Sequence, residues 1–465
     1  MSAVITERLK KNFLKDLYGN FQDSDNNYFA GIGRSEDWND TDTVPEGTPV
    51  NSQREDRNFR LGLQSVKNIT DISFVVPREN WSSGAIYSAF NDNQSGYPSN
   101  AYYVMNDNQQ VYMCLQQGRR VDGEIIASTV QPTGNTTGDP FETADGYIWK
   151  FLYSIGALKA SKFISSAYIP VQKVQDSANA PLLLSEVGVD SDSPAEDVEQ
   201  QTVQQNAVPG QIVGYRVVSG GNGFTSTPTA IIDGDGQGAL ADVTVVGQQV
   251  TKVTVGRDGG GDLAFGSGYT YADVELSGGG GSGAEVVPIL STEGGLGRDP
   301  RNDLRSSAIM FNTKTDGTED GDFVVDQDFR QLGLLKNLEQ VNSQDLFTER
   351  TGRALKRLGL TSITDGPFFR DQVIQGGTST AKAFIDDLDS ANIWYHQTEY
   401  TGFGEFDSGE TISIVEGGGS TTATIDKILD GDVDPFSGEL LYIDNRAPVI
   451  RSADQTEDLK IVIQL

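Results

Sequence analysis

One histidine and one cysteine limit the chemistry open to this sequence. His396 lies in Trp394-Tyr395-His396-Gln397, so a Ser-His-Asp or Cys-His arrangement has only one place to form. No nucleophile motif lies near it. On strand alternation it shares a face with Trp394 and reads as a structural histidine. Cys114 has no partner for an internal disulfide and sits in the strand-like run Val111-Tyr112-Met113-Cys114-Leu115, where it reads as a small buried apolar residue. A structural zinc site with nitrogen and sulfur ligands needs about four such groups, so none is expected.

Two acidic stretches resemble calcium loops. Asp233-Gly234-Asp235-Gly236-Gln237-Gly238 has glycine at the sixth place of an EF-hand loop, but Thr244 stands at the twelfth, where a bidentate glutamate belongs. Asp430-Gly431-Asp432-Val433-Asp434 lacks both the glycine and the glutamate. Both read as solvated turns. Paired carboxylates for glycoside hydrolysis carry no information among 66 acidic residues. No Walker-type or dinucleotide-binding glycine pattern opens a helix; the glycine clusters lie between strands. The expectation is therefore no catalytic residue, no metal, no cofactor and no enzyme. Trp38, Trp81 and Trp149, with Arg34, Arg78 and Arg446, fit two roles. They suit an aromatic core with surface arginines, or anchors of protein–protein contacts, where tryptophan and arginine dominate the binding energy.

A net charge of −31 repels phosphate backbones, so nucleic acid is not an expected partner. The charge is spread through loops such as 316–328 and favours solubility. No run approaches the ~18–20 apolar residues of a membrane span, and membrane insertion is not expected. The first residues carry Glu7, Lys10, Lys11 and Lys15 without an apolar centre, which suggests use without export.

The elements that must hold these residues are mostly strands. Leu9, Phe13, Leu14 and Leu17 mark one N-terminal helix over 6–18, stopped by Gly19 and Asn20. Strand runs follow at 72–76, 101–104, 111–115 and 146–155, the second and third forming a hairpin around Asn106-Asp107-Asn108. From about Val208 to Leu290 the chain is glycine-rich and repeats itself. Gly223-Phe224 and Gly238-Ala239 recur as Gly268-Tyr269 and Gly283-Ala284 at a constant offset of 45 residues. A second segment, 343–434, reads as a short helix over 344–358 followed by strands at 381–385, 392–395, 411–415 and 422–425, a small barrel or sandwich. The last stretch, Gly438 to Leu465, contains two strand runs around a polar turn and should close a core begun by the N-terminal half. The fold class is mainly β and multidomain: an α+β core with β-sandwich- or barrel-like inserts. Expected divisions are 1–180, 303–342 and 435–465 for the core, with 181–302 and 343–434 as inserts.

Five stretches occur in the order of one family. Gly33-Arg34-Ser35-Glu36-Asp37-Trp38 is similar to a Gly-Arg-Ser-Glu-x-Trp signature, and Val75-Val76-Pro77-Arg78-Glu79-Asn80-Trp81 to an Ile-Pro-Arg-x-x-Trp segment. Asp145-Gly146-Tyr147-Ile148-Trp149, Asp328-Phe329-Arg330-Gln331-Leu332-Gly333-Leu334 and Tyr442-Ile443-Asp444-Asn445-Arg446-Ala447-Pro448-Val449-Ile450 complete the set. Together they resemble the baseplate wedge protein that is the product of gene eight in T-even-type contractile-tailed bacteriophages. The likeness covers about 1–175, 303–340 and 437–465 and skips both inserts. It implies a late structural virion protein, assembled in the host cytoplasm into the viral tail baseplate. It also implies a homodimer in each wedge that contacts other wedge proteins and takes part in the rearrangement before sheath contraction. Gly33, Arg34, Glu36, Trp38, Pro77, Arg78, Trp81, Tyr147, Trp149, Asn445, Arg446 and Pro448 are the signature and candidate interaction residues. A host- or carbohydrate-binding tail module is the alternative, since glycine-turn inserts can display binding loops. A polysaccharide-degrading tail enzyme is a weaker third reading.

Overall fold

β-Branched and aromatic runs set off by glycine and asparagine turns make this a mainly β chain. The structure, a computed structural model, describes residues 6–38, 51–94, 96–134, 136–176, 186–190 and 192–465. The chain folds as two compact units. Unit 1 comprises Met1–Gly19, Ser73–Met310 and Ile463–Leu465; unit 2 comprises Asn20–Ile72 and Phe311–Val462. The chain thus changes unit at positions other than the expected divisions at 180, 302, 342 and 434.

The N-terminal helix, Glu7–Gln22, runs past Gly19 and Asn20. Only half of the expected stripe turns inward, Leu14 being buried and Leu17 half-buried. Leu9 and Phe13 are exposed, while Leu14 is buried and Tyr18 stacks on Phe74 at 5.2 Å between ring centroids. The i, i+4 pair Leu14 and Tyr18 decides which way the helix faces. It is also not the only helix. Ser52–Leu61, Ala157–Phe163, Ala195–Gln205 and Pro300–Asp303 are helical too. Ser52–Leu61 reads as polar because it buries only Phe59 and Arg60. Its start is fixed by Asn51, whose side chain accepts from the Arg54 N–H.

In unit 1 the strands Tyr103–Met105, Gln110–Gln116, Ile148–Ser154 and Phe141–Glu142 form one sheet in that order. The expected hairpin is present, with Val104 opposite Tyr112. The Asn106 side chain ties its turn by accepting from the N–H groups of Asn108 and Gln110. Tyr147, Trp149 and Phe151 line one core with Cys114 and Tyr87. The polar stretch 195–205 is anchored in unit 1, because Val203 enters that same core. Gln204 completes the edge of the Val174–Asp176 strand: its amide accepts from the Val174 N–H and donates to the Val174 carbonyl.

The 45-residue repeat is a pair of interlocked units. Ile212–Asn222 pairs with Ser282–Leu290, and Gln237–Ala239 with Phe265–Ser267. The registers are copies of one another: Gly220 faces Ala284 as Phe265 faces Ala239, and Asn222 faces Ser282 as Ser267 faces Gln237. Each repeat lends its ring to the other. A Cβ on Gly281 would stand 2.5 Å from the Phe224 ring, and one on Gly236 would stand 2.4 Å from the Tyr269 ring. Gly281→Ala and Gly236→Ala should therefore each cost about 1–3 kcal/mol through overpacking. A thermal melt checks this. Gly278→Ala, where nothing lies within 4 Å but φ is +86°, tests backbone strain alone and should cost about 1 kcal/mol.

Unit 2 contains a five-stranded sheet and a closed barrel. The sheet runs Thr351–Arg353, Leu63–Asn68, Tyr28–Gly33, Asp328–Lys336 and Glu439–Ile450. Its strands come from the start, the middle and the end of the chain. Phe59 packs against it, and a Cβ on Gly333 would stand 2.3 Å from the ring. The six barrel strands close in the order Lys356–Thr364, Asn392–His396, Lys382–Leu388, Val373–Gly376, Thr411–Glu416 and Thr422–Leu429. Ile374, Ile385, Ile393, Ile412 and Ile425 fill it. The helix expected over 344–358 is absent: that stretch leads into strand Thr351–Arg353, which pairs with Ser65–Lys67. Phe347 folds over Gly352, where a Cβ would stand 2.5 Å from the ring, so long-range packing overrides the helical spacing of the leucines.

Candidate functional site

Strand Tyr28–Gly33 ends at a glycine because a Cβ there would lie 2.5 Å from the Gly62 carbonyl oxygen. The next residue, Arg34, has φ +60° and donates its N–H to that same carbonyl. This left-handed step ends the strand and sets residues 34–38 against two neighbouring strands of the sheet and against the barrel. The Arg34 guanidinium lies 3.9 Å from the centroid of the Trp38 ring, and the Trp38 indole N–H donates to the Arg446 carbonyl at 2.6 Å. Arg330 of the adjacent strand donates to the Ser35 carbonyl, to Asp328 at 2.6 Å and to Asp37 at 2.8 Å. Gln331 donates to the Asn445 side chain at 2.9 Å.

The same loop reaches the barrel. Ile393 and Tyr395 point inward, so alternation turns Trp394 and His396 outward. His396 is nevertheless buried. Its Nδ1 lies 2.6 Å from Asp386, which is fully buried, and its Nε2 lies 3.1 Å from Glu36. Ser35 Oγ donates to the second Asp386 oxygen at 2.9 Å. Burial opposes a charge on the ring, but Asp386 and Glu36 outweigh it and hold the His396 pKa well above its ordinary value. Burial likewise works against the Glu36 carboxylate, and His396 overrides it, bringing Glu36 down to about 2. The outcome is an imidazolium clamped between two carboxylates. Ser35 bonds the aspartate and not the imidazole, and both ring nitrogens face carboxylates. This geometry cannot activate a serine as a Ser-His-Asp triad does. It is a charged staple, and His396 is structural.

In unit 1 the signature residues again join elements. Pro77 ends strand Asp71–Pro77, and its carbonyl accepts from Tyr103 Oη at 2.6 Å. Arg78 donates to the Ser165 carbonyl at 3.0 Å and to Asn80 at 3.1 Å. The Trp81 indole donates to Ser128 Oγ at 3.2 Å, and Ser128 donates to Asp145 at 3.1 Å. Burial pushes the Asp145 pKa up, but hydrogen bonds from Thr143, Val130, Thr129 and Ser128 bring it below its ordinary value. Tyr147 and Trp149 stack at 5.6 Å, with Tyr87 edge-on. Trp38 and Trp149 are thus spent inside their own units. Arg446 keeps 39% of its side chain exposed, and Pro448 is half-buried on the outermost strand of the five-stranded sheet.

The calcium-like loops have other duties. Asp235 accepts from Thr270 and Tyr271, and Asp430, Asp432 and Asp434 accept from Asn342, Arg353 N–H and Phe436 N–H. Cys114 is fully buried, and burial pushes its thiol pKa up. Sequence reasoning missed Asp386 as the partner of His396, because 66 acidic residues hide the one that matters. It also missed Arg451, buried over the Phe323 ring and bonded to Glu457 at 3.0 Å and the Gly317 carbonyl at 2.7 Å. No protein-family model matches the chain, and no curated protein matches it.

Proposed function

We propose that this protein is a structural subunit of a contractile phage tail baseplate, holding wedge proteins together through the rearrangement that precedes sheath contraction. The carrying observation is the coincidence of motif and architecture. The first and last signature stretches, 408 residues apart, meet where Trp38 donates to the Arg446 carbonyl. The residues of the resemblance are also the ones that lock elements together: Arg34, Glu36, Trp38 and Asn445 in unit 2, and Pro77, Arg78, Trp81 and Trp149 in unit 1. A part that must transmit force needs such internal locks more than it needs a reactive group. On this reading the protein is a homodimer in each wedge and touches other wedge proteins.

Deleting the gene from the virus that encodes it tests the reading. The expected particles lack baseplates and contractile sheaths, and supplying the intact chain restores them. Complete, contractile tails without this chain would overturn it.

A further inference from the structure

We propose that unit 2 carries a docking cleft for a cationic segment of a partner protein, with an apolar side chain of that segment as its anchor. This goes beyond the baseplate reading and rests on surface chemistry alone. One lobe is a cleft of about 390 Å³ whose floor includes Leu63, Leu355 and Val433. Phe403 and Phe436 line it, and each is 56% exposed. Two half-bare phenylalanines in one recess, on a chain this charged, are what a buried hot spot looks like without its partner. A second lobe of about 480 Å³ adjoins the first, and Leu355, Asp430 and Gly431 line both.

The second lobe is acidic, lined by Asp320, Asp322, Asp387, Asp389, Asp430 and Asp432. Among the described residues, three of these six carboxylates are hydrogen-bonded by neutral groups, and Arg357 acts on Asp389. Asp430 accepts from the Asn342 amide, Asp432 from a backbone N–H, and Asp322 from the Thr351 hydroxyl, all neutral donors. Asp387 is ion-paired, to Arg353 and Arg370. Arg353 is buried and also spent on the Gly321 carbonyl at 2.6 Å. In the first lobe, Arg60 is held by Asp56 and by the carbonyls of Pro435 and Ser437, and Lys356 is outnumbered by Glu405, Asp430 and Asp434. The occupant must therefore bring positive charge next to an apolar side chain. Lysine or arginine beside leucine or phenylalanine meets both demands. A neutral sugar leaves the charge in place. Its usual stacking platform is also taken, because Arg353 and Arg357 lie 4.5 and 5.7 Å from the Trp394 ring centroid.

The test measures binding of a fluorescein-labelled peptide of alternating lysine and leucine to the full chain by fluorescence anisotropy. Replacing leucine by glycine, or lysine by glutamate, should each abolish binding. Two double variants separate a specific cleft from general attraction to an acidic protein. F403S/F436S changes no charge, and D320N/D430N removes two of 66 acidic residues, both exposed. Each should weaken the peptide about tenfold or more with an unchanged melting temperature. Affinity that falls less than twofold in both variants overturns the proposal, because binding then lies elsewhere on the surface. Binding of a neutral oligosaccharide that F403S/F436S abolishes, with no peptide binding, overturns it in favour of a glycan site.

Discussion

His396→Ala will destabilise unit 2 by about 3–5 kcal/mol, the cost of leaving a buried charge without its partner. Asp386 has no solvent exposure, and the ring bonds it at 2.6 Å. Ser35 and Gln64 then remain as neutral donors, at 2.9 and 3.5 Å. The double variant His396→Ala/Asp386→Ala should lose less than the sum of the two single losses, since the orphaned carboxylate is gone. The effect also depends on pH. Glu36 falls from 4.5 to about 2 on folding, so its contribution is full above about 4.5 and fades as pH drops toward 2. His396 is raised above 6.5 on folding, so its contribution is full below about 6.5 and fades as pH rises through the folded value. Denaturant melts of wild type and His396→Ala should differ most between about pH 4.5 and 6.5. A difference that does not vary with pH would mean the ring acts by shape alone.

Trp149→Ala should cost unit 1 about 3–5 kcal/mol in the isolated protein, with no partner present. The side chain is fully buried, stacks on Tyr147 and meets Tyr87 edge-on at 5.6 Å. The sequence leaves open whether the signature tryptophans are core or interface. A core tryptophan lowers the melting temperature of the chain alone, whereas an interface tryptophan weakens only assembly. Burial makes the first outcome the expected one for Trp149 and Trp38.

Local patterns announced much of this fold. The hairpin around Asn106, the barrel strands of 381–425 and the 45-residue repeat follow from alternation, turn residues and self-similarity, all short-range signals. The exchange of Phe224 and Tyr269 between the repeats does not, because it depends on which glycine faces which ring. The helix over 344–358 failed for the same reason: Gly352 is there to admit Phe347. The N-terminal helix was legible, but the face it buries was not, since Leu9, Phe13 and Leu14 look alike until Phe74 is in place. At the site, Gly33 to Trp38 stood out as a motif, and His396 stood out as the lone histidine. Nothing in the sequence linked them, because Glu36 and His396 are 360 residues apart. The acidic and aromatic cleft was equally hidden, its Phe403, Phe436 and Asp320 coming from separate segments.

On the assembly reading the chain is encoded by a contractile-tailed phage, and the most direct test is cryo-electron microscopy of tails isolated from that phage. The account predicts density for both units within the baseplate, two copies in every wedge, with the barrel and the five-stranded sheet recognisable in each copy. The chain in the tail fibres or the capsid, or absent from the baseplate, would contradict it.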